Sequence, residues 1–119
     1  MIGFIKRQWL LSGIVIAALV AGGFVVAERT YTVPILMYHH IGEEMDSTLY
    51  VSQDNFTRQM AYLKKKGYTV ISLDELVNGI CAGRKAPRKT VAITFDDGYL
   101  DNYLYAYPVL REQGFPATI

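Results

Sequence analysis

The chain has 119 residues, of which 51% are hydrophobic and 19% charged, with twelve lysines and arginines against eleven aspartates and glutamates. This length allows one domain at most, the hydrophobic content excludes a disordered chain, and a net charge of +1 gives no electrostatic reason to expect a nucleic acid partner. The charge is unevenly divided, because residues 1–29 carry three basic side chains and one acidic side chain, whereas residues 30–119 carry nine and ten.

Residues 1–29 are predicted to be an N-terminal signal anchor. No residue between Arg7 and Glu28 is charged, and the run between them is almost wholly apolar. A helix of that length spans a hydrocarbon layer of about 30 Å, and the basic residues before it favour a cytoplasmic N-terminus. We therefore expect a single-pass protein of the cell membrane whose residues 33–119 lie outside it, after a short linker over residues 30–32. Secretion after cleavage of a signal peptide is the alternative.

Four apolar runs in the remainder are predicted to be β-strands. They cover residues 33–38, 68–71, 90–95 and, as the opening of a strand, 115–119. The first run suits a strand that is buried on both faces. The polar, aperiodic residues 42–53 predict a loop. The chain stops within the fourth predicted strand, and we expect it to be the first part of a longer domain.

The three segments between these strands carry helix signals. In the first, apolar residues recur at helical spacing after Asp54, a candidate N-cap, and a Lys-Lys-Lys-Gly run ends the helix. In the second, Ser72 and Glu75 have the spacing of a capping box. The third helix is predicted over residues 101–113, where Pro108 must kink it or begin a fresh turn. Strands that alternate with helices in this way indicate an α/β fold with a parallel sheet, either doubly wound or rolled into a barrel.

Reactive side chains follow two of the predicted strands. The first strand ends in His39 and His40, and the third ends in Asp96, Asp97 and Gly98. Functional groups of parallel α/β folds collect at the carboxyl ends of strands. Adjacent carboxylates repel each other, and a divalent cation relieves this repulsion because one carboxylate can bind it while the other stays free as a base. The alternative is a solvated Asp-Asp-Gly turn.

Spacing excludes several other kinds of site. Adjacent aspartates do not fit an aspartyl-phosphate phosphatase, which separates them by one residue, and the early glycine does not fit a calcium-binding loop. The chain has no phosphate-loop, dinucleotide-binding or serine-hydrolase motif. Cys81 is the only cysteine, so the chain has no internal disulfide and no cysteine-based zinc site.

The run TFDDGY at residues 94–99 resembles the first motif of the polysaccharide deacetylases, the NodB-homology or family 4 carbohydrate esterases. Residues 33–41 (VPILMYHHI), 68–73 (YTVISL) and 115–119 (FPATI) are similar to the opening strands of that family, so the resemblance covers about residues 33–119. It implies a partial, distorted (β/α) barrel. It also implies hydrolysis of N-acetyl groups from an N-acetylglucosamine-containing polysaccharide such as peptidoglycan, a chitin-like polymer or poly-N-acetylglucosamine.

The resemblance also implies roles for individual residues. Asp96 would be the catalytic base, Asp97 a ligand of a divalent metal such as zinc, and His39 and Tyr99 substrate-binding residues. The family's second motif, a pair of histidines that completes the metal site, and its later motifs are absent from this sequence, so we expect an inactive fragment. A membrane-tethered, non-catalytic module that binds a glycan or a protein partner is the alternative function.

Overall fold

The computed structural model describes residues 13–23, 32–43 and 48–119 of the chain. Residues 13–23 form a helix, α1. Within the described ranges, no helix combines the length and the apolar character needed to cross a membrane. Much of the predicted signal anchor over residues 1–29 lies outside the described residues.

The chain divides into two compact units, Met1–Thr32 and Val33–Ile119. The strands of the second unit are β1 (Ile35–Tyr38), β2 (His40–Gly42), β3 (Tyr50–Ser52), β4 (Thr69–Ile71) and β5 (Thr90–Phe95). A three-stranded sheet has the order β1-β5-β4 and is parallel throughout, which confirms the predicted parallel sheet. Tyr38 at the end of β1 lies beside Phe95 at the end of β5, so both strands finish at the same edge.

The prediction of a loop over residues 42–53 is wrong in part. Tyr50–Ser52 forms β3, which pairs in parallel with β2 and places Tyr50 beside His40. The backbone N–H of His40 also donates to the carbonyl of Leu49 over 3.1 Å. Three residues are too short to display an alternating pattern, which is why the strand is invisible in the sequence.

The prediction that the first strand is buried on both faces is also wrong for the described part of the chain. Strand β1 lies at the edge of the sheet, and its residues alternate between two environments. Ile35 and Met37 are 49% and 61% exposed, whereas Tyr38 is buried at 8%. An apolar run alone does not distinguish an edge strand from a central one, because both can carry large side chains.

Helix α2 (Gln53–Lys65) packs its predicted apolar face, Phe56, Met60 and Leu63, into the core. Its N-cap is Ser52, whose hydroxyl accepts the backbone N–H of Asn55, and not Asp54 as predicted. Ser52 has the extended backbone that an N-cap requires. Asp54 instead lies in the first helical turn, where its negative charge interacts favourably with the positive end of the helix dipole.

The next two helices follow their sequence signals closely. Helix α3 (Leu73–Cys81) begins after Ser72, whose hydroxyl accepts the backbone N–H of Glu75 as predicted. A π-helical turn (Asn102–Ala106) leads into helix α4 (Tyr107–Gln113). Helical backbone continues without a break from Leu100 to Gln113, so Pro108 begins no fresh turn, and the departure from regular α-helical hydrogen bonding is the π-helical turn just before it.

The predicted opening of a fourth strand is present as a single parallel bridge between Thr118 and Thr94. The N–H of Thr118 donates to Ile93 over 3.0 Å, and its carbonyl accepts from Phe95 over 2.9 Å. The hydroxyl of Thr118 also accepts the backbone N–H of Leu73 at the start of α3, over 3.3 Å. These bonds tie the end of the chain to the carboxyl end of β5.

The core beneath this edge is aromatic. Tyr38 packs edge-on against Phe56 with ring centroids 5.1 Å apart and stacks on Phe95 at 5.6 Å. Its hydroxyl donates to the amide oxygen of Gln59 over 2.6 Å, and burial raises the pKa of Tyr38 to about 12. These contacts join β1, β5 and α2. They therefore fix the ends of the two strands, from which the residues of the candidate site follow.

Candidate active site

His39 and Asp96 directly follow the aligned ends of β1 and β5. The backbone N–H of Asp96 donates to the carbonyl of Tyr38 over 2.9 Å, which extends the pairing of the two strands by one step. The Nε2 atom of His39 lies 3.8 Å from Oδ2 of Asp96. Since the side chains are 21% and 44% exposed, the pair sits at a partly open surface. The structure thus brings together two of the predicted site residues.

The backbone turns sharply immediately after Asp96. Asp97 and Gly98 both have left-handed backbone angles, with φ of 65° and 60°. Glycine adopts this region freely, and aspartate enters it more readily than most residues. Both residues are exposed. The two adjacent aspartates therefore have different backbone conformations, since Asp96 directly follows a strand and Asp97 lies within a turn.

Tyr99 is the neighbour of Asp97 in this turn. The Asp97 carboxylate raises the pKa of Tyr99, through side-chain hydrogen bonding and through its negative charge. The tyrosine is 39% exposed. The predicted site residues therefore form two pairs, His39 with Asp96 and Tyr99 with Asp97.

A second histidine, His40, has contacts of its own. The Nδ1 atom of His40 is 2.7 Å from Oδ2 of Asp101, and the two side chains are 17% and 22% exposed. The imidazole also stacks on two tyrosine rings, Tyr50 at 4.3 Å and Tyr99 at 3.7 Å between centroids. The sequence predicts no site role for His40, Tyr50 or Asp101. Tyr50 lies in the predicted loop and Asp101 at the start of a predicted helix, so their convergence depends on the tertiary fold.

Asp97 is suited to be one ligand of a divalent cation, because its carboxylate is exposed and offers hard oxygen donors. A catalytic zinc normally takes three protein ligands. Among the residues that the structure describes, no group of three histidine, cysteine, aspartate or glutamate side chains is placed to hold a metal ion. The described residues therefore provide part of a metal centre and do not complete one.

An open groove of about 660 Å³ runs between β1 and α2. Its lining includes Ile35, Met37, Arg58 and Tyr62, and none of the four predicted site residues contributes to it. The reactive side chains lie instead on the open edge formed by the ends of β1 and β5. The groove is thus separate from the candidate active-site residues.

Comparison with known proteins shows which family this chain resembles. A model of the family described as Polysaccharide deacetylase matches residues 83–119. YxkH, a Bacillus subtilis protein named with the polysaccharide deacetylases, is 40% identical over 96 residues, which are 81% of this chain and 34% of YxkH. Over the residues matched, this chain is similar to the polysaccharide deacetylases. The predicted resemblance to that family is thereby confirmed.

Two further comparisons describe the fold and the breadth of the family. The Streptococcus pyogenes deacetylase PplD, solved in complex with acetate, superposes with a TM-score of 0.66 at 33% identity over 73% of this chain and 41% of its own. The Escherichia coli K12 poly-β-1,6-N-acetyl-D-glucosamine N-deacetylase is 29% identical over 70% of this chain and 13% of its own length. The α/β deacetylase fold is therefore confirmed, and the chain spans about a third of the length of YxkH.

Proposed function

We propose that this chain is part of a hydrolase that removes N-acetyl groups from an N-acetylglucosamine-containing polysaccharide. The observation that carries the proposal is the placement of Asp96 and Asp97 at the carboxyl end of β5, each with a different partner. The similarity to an enzyme named for deacetylation of poly-β-1,6-N-acetyl-D-glucosamine supports the substrate class.

Because their surroundings differ, the two carboxylates are proposed to have different chemical roles. Asp96 is proposed to accept a proton from the water that attacks the acetyl carbonyl, since it lies beside His39 at a partly open edge. Asp97 is proposed to be one ligand of a divalent metal, zinc in the first instance, which would supply Lewis-acid polarisation when bound. His39 and Tyr99 flank the carboxylates and are proposed to contact the sugar.

The metal centre must be completed by ligands beyond the described residues, because a single carboxylate does not hold a catalytic zinc. We therefore propose that the 119-residue chain is inactive by itself. The organisation proposed for it is a membrane segment over residues 1–29, a linker over 30–32 and deacetylase sequence over 33–119 outside the membrane. The long uncharged run between Arg7 and Glu28 supports this organisation, with secretion after cleavage as the alternative.

The test compares two polypeptides, the 119-residue chain and the product of the same reading frame continued past Ile119. Both are incubated with oligomers of chitin and of poly-β-1,6-N-acetylglucosamine and with peptidoglycan, and released acetate is measured with zinc and after chelation. We expect zinc-dependent release by the longer polypeptide and none by the shorter one. Release by the 119-residue chain would overturn the proposal that its site is incomplete.

Failure of the longer polypeptide on all three substrates would overturn the deacetylase proposal itself. The same outcome, together with binding of one of these oligomers by the 119-residue chain, would favour the non-catalytic binding module. Tyr107→Phe serves as the matched control variant, since Tyr107 is an exposed residue of α4 that stacks on Tyr103. It is expected to release acetate at the wild-type rate.

A further inference from the structure

Two short segments that precede β4 and β5 hold most of the basic residues of the second unit. Residues 64–66 and 84–89 carry seven of the nine lysines and arginines found in residues 30–119. Neither segment contains an acidic residue, and all seven basic residues are exposed. The two segments together are called the basic end below.

Hydrogen bonds hold the two segments of the basic end side by side. The Nζ atom of Lys89 donates to the carbonyl of Lys66 over 2.9 Å, and the carbonyl of Lys89 accepts the N–H of Thr69 over 2.8 Å. Lys89 has a left-handed backbone with φ of 61°, a region that lysine seldom enters. The fold therefore gathers the basic residues of both segments on one surface.

The basic end lies at the opposite end of the sheet from the candidate site. Its segments lead into the first residues of β4 and β5, which pair in parallel from Thr69 and Thr90 onward. The residues that follow the same two strands include five carboxylates, those of Asp74, Glu75, Asp96, Asp97 and Asp101. Positive and negative charge are thus separated along the direction of the strands.

Among the described residues, little negative charge opposes the basic end. The end of α4 reaches it, because the Nζ atom of Lys64 donates to the carbonyl of Gln113 over 2.8 Å. Arg111 and Glu112 of that last turn carry one charge of each sign, which cancel. Such a surface attracts an anionic partner over a range set by the Debye length, about 8 Å at physiological ionic strength.

The position of the basic end favours a bilayer over a soluble anion. The chain enters the second unit at this end of the sheet, where the carbonyl of Pro34 accepts the N–H of Ala92 over 3.0 Å. The linker proposed over residues 30–32 spans at most about 11 Å when fully extended. A bilayer that holds residues 1–29 therefore lies close to the range over which the basic side chains act. Lysines and arginines beside a membrane are attracted to the anionic headgroups of its lipids.

We infer that the basic end docks on the anionic lipid headgroups of the membrane and so turns the candidate active site away from it. The inference rests on the proposed function for the membrane segment over residues 1–29. It does not depend on the chemistry of the candidate site. The docking gives the separation of charge along the strands a use, since the acidic end with Asp96 and Asp97 then faces a polysaccharide outside the membrane.

The docking is measured with the 119-residue chain reconstituted in lipid vesicles. Cys81, the only cysteine, is exposed at the end of α3 and carries a fluorescent donor, while the acceptor is attached to a lipid headgroup. We expect more energy transfer in vesicles that contain phosphatidylglycerol than in phosphatidylcholine alone. The difference is expected to vanish in 1 M salt, where the Debye length is about 3 Å.

A second donor position reports the orientation of the unit. Leu100 is 71% exposed and follows the turn of the candidate site. A donor attached through Leu100→Cys, in a chain that also carries Cys81→Ser, is expected to show no rise in energy transfer with phosphatidylglycerol. An equal rise at both positions would overturn the inferred orientation.

Variants that each remove one charge identify the residues that dock. Lys65→Gln and Lys85→Gln change the basic end, and Arg58→Gln is the matched control because Arg58 pairs with Asp54 in the first half of α2, 3.1 Å away. One basic residue beside an anionic bilayer is worth about fivefold in binding. We expect each of the first two variants to lower the ratio of docked to undocked chain by about that factor, and the control to leave it unchanged.

Three results would overturn the inference. The first is energy transfer from Cys81 that is the same in neutral and anionic vesicles. The second is an equal loss of docking in Lys65→Gln, Lys85→Gln and Arg58→Gln. The third is binding of soluble polyphosphate by a chain that does not respond to anionic lipid, which would favour a soluble polyanion as the partner.

The proposed function fails in a different way. A chain that 1 M salt washes from neutral vesicles would show that residues 1–29 do not insert. If that chain still binds anionic vesicles through Lys65 and Lys85, the docking stands and the membrane segment falls. If the chain stays in neutral vesicles and Cys81 does not respond to phosphatidylglycerol, the membrane segment stands and the docking falls.

Discussion

The imidazole of His39 lies 3.8 Å from the carboxylate of Asp96, and this contact joins the ends of β1 and β5. The next carboxylate along the chain, Asp97, has Tyr99 as its partner instead. Two carboxylates adjacent in sequence therefore have different surroundings. In active sites generally, different surroundings allow two chemically similar groups to take different roles, such as general base and metal ligand.

Removing the charge of Asp96 and removing the charge of Asp97 are predicted to have different effects on metal binding and turnover in the polypeptide continued past Ile119. Asp96→Asn is expected to keep the metal and to lower kcat by about 10²–10⁴-fold, the usual contribution of a general base. Asp97→Asn is expected to lose the metal, because an amide is a weaker ligand for a divalent cation than a carboxylate. Metal content and acetate release are measured on the same preparations. Equal metal content and equal rates in the two variants would contradict the assignment of roles.

Removal of His39 is predicted to have a small effect. Its contact with Asp96 is 3.8 Å long and partly exposed, and such pairs contribute at most about 1 kcal/mol, or about fivefold in an equilibrium or a rate. His39→Ala is therefore expected to lower kcat/KM by about fivefold or less with the metal retained. Steady-state kinetics then separate the two contributions, since loss of a sugar contact raises KM and loss of support for Asp96 lowers kcat. A fall of several hundredfold would show that His39 itself takes part in proton transfer.

The stability of the chain is predicted to fall steeply above pH 10, partly through Tyr38. Burial raises the pKa of Tyr38 from 10.0 to about 12, so in this range the unfolded chain releases the proton before the folded chain does. The contribution is fully present below pH 10 and is lost as the pH rises towards 12, by up to about 2–3 kcal/mol. Urea unfolding of Tyr38→Phe is expected to show a weaker pH dependence than the wild type over this range. Tyr62→Phe, at the 54% exposed Tyr62 of α2, is the control and is expected to follow the wild type.

Removing one methyl group from β5 and removing one from the neighbouring β1 are predicted to have unequal effects on the free energy of unfolding. Ile93 of β5 is fully buried, whereas Ile35 of β1 is 49% exposed. Ile93→Val is expected to lower the free energy of unfolding by about 0.5–1.5 kcal/mol, which is about 2–12 °C in Tm for a domain of this size. Ile35→Val is expected to change Tm by much less, because water already contacts the deleted methyl group. Equal shifts in the two variants would mean that β1 is covered to the same degree as β5.

Much of the fold could be predicted from local signals. The apolar face of α2, the serine that caps α3 and the limits of β5 are where the sequence places them, because each depends on neighbours within one turn or one strand. The sequence predicts Asp54 as the N-cap of α2, although Ser52 takes that position. Both are good N-cap residues, and only the extended backbone at Ser52 decides between them.

The candidate site could be predicted only where its residues follow a recognisable strand. His39, Asp96 and Asp97 stand directly after apolar runs, and the carboxyl ends of parallel strands are where reactive groups are expected. The partners Tyr50 and Asp101 could not be predicted in this way. They reach His40 through the pairing of β2 with β3 and the turn after β5, which are long-range features without a local signature.

The left-handed backbone at Asp97 limits which residues this position can carry. A metal site that accepted any carboxylate would allow glutamate there, yet at φ of 65° a longer side chain is disfavoured, and asparagine, aspartate, histidine and glycine are the residues found most readily. Of these four, only aspartate carries a negative charge at neutral pH. The backbone geometry and the charge that the proposed metal site would need thus favour the same side chain, so we expect sequence variation at this position to be limited by folding as well as by the proposed chemistry.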